Sequence, residues 1–299
     1  MLRRSILRAM SRLLVVLLFA TFSVSVSLFA QNTVLLWPNG APGALGNDAS
    51  DKPSLKIYLP KKPPVAAVLI VPGGGYGKIV LNRIDPQVAQ WFNRLGVAAF
   101  VLTYRVGMRY HYPIEFEDAQ RAMRYVRSHA AEYNIPDDRI GVAGFSAGGH
   151  LASLLGTHFD SGNPASPDPI ERAGDRPDFM ILGYPVINDA GPASIRSFNY
   201  LLGDNPDPAL LHRLFTNTQV TAQTPPAFIV LADDDPKVSP ENGVSFFLGL
   251  LHAGVPAELH VYQKGGHGFG LTQPNNPGLS SWSRSLSDWL RERGILTPR

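Results

Sequence analysis

Apolar residues along this chain fall into short continuous runs separated by longer stretches of helical spacing. AAVLIVP (66–72), VAAFVLTYR (97–105), RIGVAGF (139–145), PDFMILGYPVI (177–187), PAFIVLA (226–232) and AELHVYQ (257–263) read as strands. Between them, residues 86–96, 115–133, AGGHLASLLGTHF (147–159), NGVSFFLGLLHAG (242–254) and SWSRSLSDWLRERG (281–294) repeat their apolar positions as helices do. Runs apolar at every position, alternating with helices, predict an α/β fold with a mainly parallel, twisted sheet covered by helices on both faces. Such a sheet presents its ligand sites beyond the carboxyl ends of its strands. Residues 31–64 read as an N-terminal strand or hairpin region. Residues 188–225, rich in Pro, Asn and Asp, break the alternation and are expected to form an excursion over the site. The expected organisation is one catalytic domain over 31–299, with no internal repeat.

The first thirty residues follow another pattern. MLRRSILRAMSR holds four arginines and no acid, and LLVVLLFATFSVSVSLFA is apolar and uncharged. That order predicts a signal peptide over 1–30, cut after Ala30, and hence a secreted or periplasmic protein. An uncleaved anchor helix is the alternative, and RRSILR loosely resembles a twin-arginine signal. Setting aside Arg3, Arg4, Arg8 and Arg12 turns the net charge of +3 (27 Lys+Arg, 24 Asp+Glu) into about −1. No basic patch then argues for nucleic acid or for a membrane surface. Composition adds that 44% of residues are hydrophobic, enough for a sizeable core, and that there is no cysteine. Disulfides, a thiolate nucleophile and cysteine-based metal sites are excluded.

The candidate chemistry starts at Gly144-Phe145-Ser146-Ala147-Gly148. This is G-x-S-x-G at a predicted strand-to-helix junction, the context that a strained nucleophile turn requires. A serine hydroxyl needs a base. His267, in KGGHGFG after the last predicted strand, has the best setting. His111, His150, His158, His212, His252 and His260 fall on helices, strands, turns or the excursion. The base in turn needs a carboxylate to fix its tautomer. Asp233, Asp234 and Asp235 close the strand IVLA; Asp235 is preferred and Asp234 is the alternative. The order Ser, Asp, His is that of one hydrolase superfamily. Donors for an oxyanion are expected from the Ala147 amide and from the loop PGGGYG (72–77). No Lys-Ser/Thr follows that loop, which argues against a nucleotide P-loop.

These pieces resemble the α/β-hydrolase superfamily and, within it, secreted bacterial acetylxylan esterases and feruloyl-esterase-like carbohydrate esterases. LWPNGAPG, VPGGGYG, GFSAGGHLAS, LLGDNPDP, QTPPAFIVLADDDPKVSPEN and GVPAELHVYQKGGHGFGL carry the resemblance. It implies the α/β-hydrolase fold, Ser146 as nucleophile, His267 as base, Asp235 as its partner, and Gly74, Gly75 and the Ala147 amide at the oxyanion. It implies no metal and no organic cofactor. Pro72 stands where lipase-like relatives carry a His. Val238-Ser239-Pro240 stands where such enzymes often read Val-Pro. The implied activity is hydrolysis of short acyl esters, acetyl foremost, on plant polysaccharide such as xylan; a feruloyl esterase is the neighbouring alternative. A serine peptidase of prolyl-oligopeptidase type and a non-catalytic carbohydrate-binding relative are further alternatives. Against the peptidase, there is no propeller domain and no acidic pair for a peptide amino terminus; against the binding relative, every catalytic part is in place. No paired carboxylates suggest glycosidase chemistry. Tyr76, Trp37 and the excursion are candidates for pocket walls, although Trp37 and Trp282 read better as packing residues than as sugar platforms. Oligomeric state is not legible.

Overall fold

A computed structural model describes residues 32–81, 86–271 and 275–297. The expected signal peptide lies outside the described residues.

The strands are β1 (Asn32–Leu35), β2 (Ser54–Tyr58), β3 (Ala66–Val71), β4 (Val97–Thr103), β5 (Ile140–Phe145), β6 (Met180–Gly183), β7 (Ala227–Ala232) and β8 (Ala257–Tyr262). They form one sheet in the order β1-β2-β4-β3-β5-β6-β7-β8. β4, β3, β5, β6, β7 and β8 pair in parallel, while β2 is antiparallel to both β1 and β4. The parallel sheet expected from the apolar runs is therefore present, with an antiparallel edge made by the N-terminal region.

The burial pattern shows why every position of the central strands is apolar. Along β3, Ala67, Leu69 and Val71 enter the core on one face, and Ala66, Val68 and Ile70 the core on the other. Successive side chains of a strand point to opposite faces, so a strand covered on both sides needs an apolar residue at each step. β7 repeats this, with Ile229 and Leu231 on the first face and Phe228 and Val230 on the second.

Helices α2 (Ile114–Ser128), α3 (Ala147–Thr157) and α6 (Glu241–His252) cover the first face through Phe116, Met123, Leu151, Leu155, Phe246 and Leu250. Helices α1 (Gln87–Arg94) and α8 (Trp282–Glu292) cover the second through Val88, Phe92, Leu286, Trp289 and Leu290. Each fully buried side chain of this size contributes about 1.5–3 kcal/mol of transfer free energy.

Most predicted elements lose a residue or two at their ends, and two lose more. The helix expected over 115–133 ends at Ser128, and its chain turns through Asn134 at φ 55°. The strand expected over 177–187 keeps only Met180–Gly183; Tyr184 N still donates to Val230 O (2.7 Å), but the residue takes φ 38° and the strand ends before it.

Residues 188–225 contain α4 (Pro192–Leu202), α5 (Pro208–Arg213) and a helical turn at Thr216–Thr218. This segment docks on α3: Leu214 O accepts from His150 Nε2 (2.8 Å), and Thr216 Oγ1 pairs with Ser153 Oγ (2.8 Å). A short helix α7 (Pro277–Ser280) precedes α8.

Candidate active site

Four strand ends supply the site. The β5–α3 junction holds Ser146 at φ 58°, ψ −124°, a conformation that side chains other than glycine seldom adopt. The residues two positions before and after it, Gly144 and Gly148, are glycine for steric reasons. A Cβ on Gly144 would lie 2.2 Å from Gly148 O, and one on Gly148 would lie 2.2 Å from Val71 O and 2.5 Å from Pro72 O. So α3 starts pressed against both its own strand and the end of β3. Gly148→Ala is expected to force these apart and to cost about 1–3 kcal/mol of stability. Denaturant unfolding alongside ester hydrolysis checks this. The expected result is a lowered midpoint together with lowered activity, since the displaced end of β3 leads directly into the glycine loop.

His267, in the loop after β8, joins the two other predicted residues. Its Nε2 lies 2.9 Å from Ser146 Oγ, and its Nδ1 lies 2.7 Å from Asp235 Oδ2. A carboxylate only accepts, so Nδ1 carries the hydrogen and Nε2 is free to accept from the serine. The Asp235 side chain is 1% exposed, and its Oδ1 accepts from the amides of Lys237 (2.8 Å) and Val238 (3.1 Å). Val238 itself is buried, and Ser239 comes after the amides that Asp235 accepts from.

Asp234 does something different. Its Oδ1 accepts from the amides of Gly265 (2.7 Å) and Gly266 (2.8 Å), which hold its carboxyl below the usual carboxylate range and tie down the loop just before His267. The two carboxylates that sequence left as alternatives thus divide the work: Asp235 meets the ring, and Asp234 fixes its loop.

The glycine loop after β3 lies across from Ser146. The carbonyl of Gly73 accepts from Val80 N (2.9 Å) and that of Gly74 from Lys78 N (3.4 Å). Gly74 and Gly75 take φ 142° and 65°. Gly73, not singled out from sequence, makes the close approach: a Cβ there would lie 2.9 Å from Ser146 Cβ. Gly74, Gly75 and Gly73 all line the cavity in front of Ser146, while Ala147 is fully buried at the first position of α3.

Tyr76 is not a pocket wall. It is fully buried, and its hydroxyl meets His150 Nδ1 at 2.7 Å. Because His150 Nε2 must donate to Leu214 O, Nδ1 accepts and Tyr76 donates. The glycine loop, α3 and the excursion are thereby linked through one buried imidazole. Burial lowers the pKa of His150 to about 4. Its neutral form therefore stabilises the fold above the unfolded histidine range, and this contribution is lost as pH falls toward 4. Relative to His150→Gln, the wild type is expected to lose about 2 kcal/mol between roughly pH 7 and pH 4.5. The difference between the two proteins is the quantity to read by denaturant titration. Burial pushes Glu115 up to about 8, so it titrates in the opposite sense over the same interval.

Trp37 also lies away from the cavity, 5.6 Å and 5.4 Å from the guanidinium groups of Arg105 and Arg121. Trp282 is buried and donates from Nε1 to Gly270 O (2.9 Å).

The cavity in front of Ser146 measures about 750 Å³. Its walls include Tyr184, whose ring centroid lies 4.9 Å from that of His267, and Ser197 and Tyr200 of α4. Sequence patterning had no signal for Tyr184, whose role depends on its left-handed backbone. Among the described residues, no group of three or more His, Asp or Glu is placed to hold a metal ion. No helix of the described residues is long and apolar enough to cross a membrane. The arrangement can remove a proton from a serine hydroxyl beside a cavity wide enough for a sugar ring and its acyl group.

Comparison with known proteins identifies the family. The BD-FAE family model matches residues 55–250. The acetylxylan esterase of Xylanibacter ruminicola is 35% identical over 229 residues, covering 74% of this chain and 44% of that protein. The endo-1,4-beta-xylanase B of Butyrivibrio fibrisolvens is 35% identical over 219 residues, covering 72% of this chain and 34% of that protein. This chain therefore spans less than half the length of either curated relative. The solved structure of an acetyl ester-xyloside bifunctional hydrolase from Caldicellulosiruptor lactoaceticus superimposes with a TM-score of 0.82 at 39% identity, covering 89% of this chain and 97% of that one. With a parallel sheet of this order, a glycine-bounded serine at the β5–α3 junction and a family match across most of the described residues, the chain belongs to the BD-FAE family and has the α/β-hydrolase fold.

Proposed function

We propose that this protein is a secreted serine esterase that removes short acyl groups, acetyl foremost, from acylated polysaccharide such as xylan. The observation that carries the reading is the hydrogen-bonded line Asp235–His267–Ser146 at the edge of the cavity. Ser146 Oγ attacks the ester carbonyl as His267 Nε2 takes its proton. The Asp235 carboxylate holds the imidazole in the reactive tautomer and stabilises the imidazolium. Negative charge developing on the carbonyl oxygen is met by backbone amides of Gly74, Gly75 and Ala147, at the N-terminus of α3. His267 then protonates the departing sugar hydroxyl. Water attacks the acyl-Ser146 ester by the same relay and releases the acid.

The named activities of the Xylanibacter and Caldicellulosiruptor proteins support acetyl esters on xylan-type carbohydrate as the substrate. Export belongs to the same proposal and rests on the basic and then apolar order of residues 1–30.

The test is release of acetate and ferulate from acetylated, feruloylated xylan. Acetate release by the wild type and none by Ser146→Ala is the expected result. Ferulate as the main product would replace acetyl with feruloyl as the acyl group. Neither product, with simple acetyl esters still cleaved, would remove xylan as the substrate.

A further inference from the structure

The cavity is charged on one side of the balance only. Lys78, Arg196 and Lys237 line it, and no Asp or Glu is among the described residues that do. All three cations are exposed, and none forms an ion pair with an acid among the described residues.

They come from three separate elements around the reacting centre. Lys78 sits on the glycine loop. Arg196 is on α4, next to Ser197, whose Oγ would lie 3.6 Å from a Cβ on Gly75. Lys237 follows Asp235 by two residues, and its own amide donates to that carboxylate. Asp235 is thus committed to His267 and to the turn and does not neutralise the rim. A guanidinium and an ammonium flanking a cavity, without internal counter-charge, favour an anionic ligand, and the arginine fork suits a carboxylate.

A neutral acetylated sugar uses none of this charge. We infer that Arg196 and Lys237 form a subsite for a carboxylate carried by the sugar chain, so that the preferred substrates are acetyl esters on uronate-bearing saccharides. The inference rests on the esterase reading above. Exposed charges act within a Debye length of about 10 Å at 0.1 M salt, so the preference is expected to shrink as salt rises.

The experiment measures kcat/KM on acetylated uronate-bearing oligosaccharides and on the same oligosaccharides after reduction of their carboxyl groups. The enzyme is the full chain, as wild type and as the Arg196→Gln/Lys237→Gln double variant. The wild type is expected to favour the acidic substrate by about tenfold at low salt, and the double variant is expected to bring that ratio close to one. Free glucuronate should compete with a neutral ester on the wild type and lose this effect in the double variant, while acetate competes weakly. A wild-type ratio near one, with both substrates hydrolysed, overturns the inference and leaves the esterase reading intact. Acetate competing as well as glucuronate, at a ratio near one, also overturns it and assigns the rim to the product acid. Hydrolysis of neither substrate, nor of simple acetyl esters, contradicts the esterase reading itself. The ratio separates a binding role from a merely structural one, because damage to folding lowers activity on both substrates alike.

Discussion

Ser146→Ala is expected to lower kcat on acetyl esters by about 10⁴- to 10⁶-fold while leaving the protein folded. Ser146 Oγ is the hydroxyl that meets His267 Nε2. The other serine on the cavity wall, Ser197, donates its hydroxyl to Ala193 O within α4 (2.9 Å) and does not substitute for it. Deleting one oxygen at the mouth of a cavity opens no buried void. The fold around the junction is held by backbone bonds that alanine keeps: Ser146 N to Gly183 O (3.0 Å) and Val186 N to Ser146 O (3.0 Å). Steady-state kinetics together with an unfolding curve checks both halves. The residual rate reports the amides and the bound geometry alone, since these still favour the transition state without a nucleophile.

Asp235→Asn is expected to cost about 10⁴-fold in kcat, and Asp234→Asn far less. The reason lies in the partners. Asp235 Oδ1 takes two backbone amides, so an asparagine must place its oxygen there and turn its NH₂ toward His267. Nδ1 would then have to accept, Nε2 would carry the hydrogen, and the ring could not take the serine proton. Asp234→Asn keeps an acceptor for Gly265 and Gly266, so the loop before His267 stays anchored by weaker, uncharged bonds. Its effect should fall mainly on stability. Measuring kcat for the two variants side by side checks the assignment. A larger loss in Asp234→Asn than in Asp235→Asn would reverse it.

How far sequence reached depended on whether an element is specified locally. The buried strands were legible because each must be apolar at every step, as in AAVLIV and AFIVLA. Ser146 was legible as a candidate because a serine turn between a strand and a helix needs glycine on both sides, and His267 because of its glycine setting after the last strand; the structure brings the two to 2.9 Å. Asp235 was preferred over Asp234 in the sequence, although both close the same strand and the contacts that separate them are with residues about thirty positions away.

Long-range packing hid the rest. Tyr76 reads from sequence as a residue beside the substrate. The structure instead turns it into the core to meet His150, a partner 74 positions along the chain. Gly73 gains its place from the approach of β3 to the β5–α3 junction. Tyr184 ends β6 with a positive φ that no hydrophobic pattern encodes. Arg196 and Lys237 are ordinary surface cations in sequence, and they acquire meaning only when α4 and the loop after β7 face one cavity.

In the proposed mechanism Ser146 carries the acyl group. The most direct test is to mix the protein with para-nitrophenyl acetate, quench in acid within the first turnover, and map the modified peptide by mass spectrometry. The expected result is one acetyl group, located on Ser146, that disappears as the substrate is consumed and is absent in Ser146→Ala. An acetyl group on another residue, or undiminished turnover by Ser146→Ala, would contradict it.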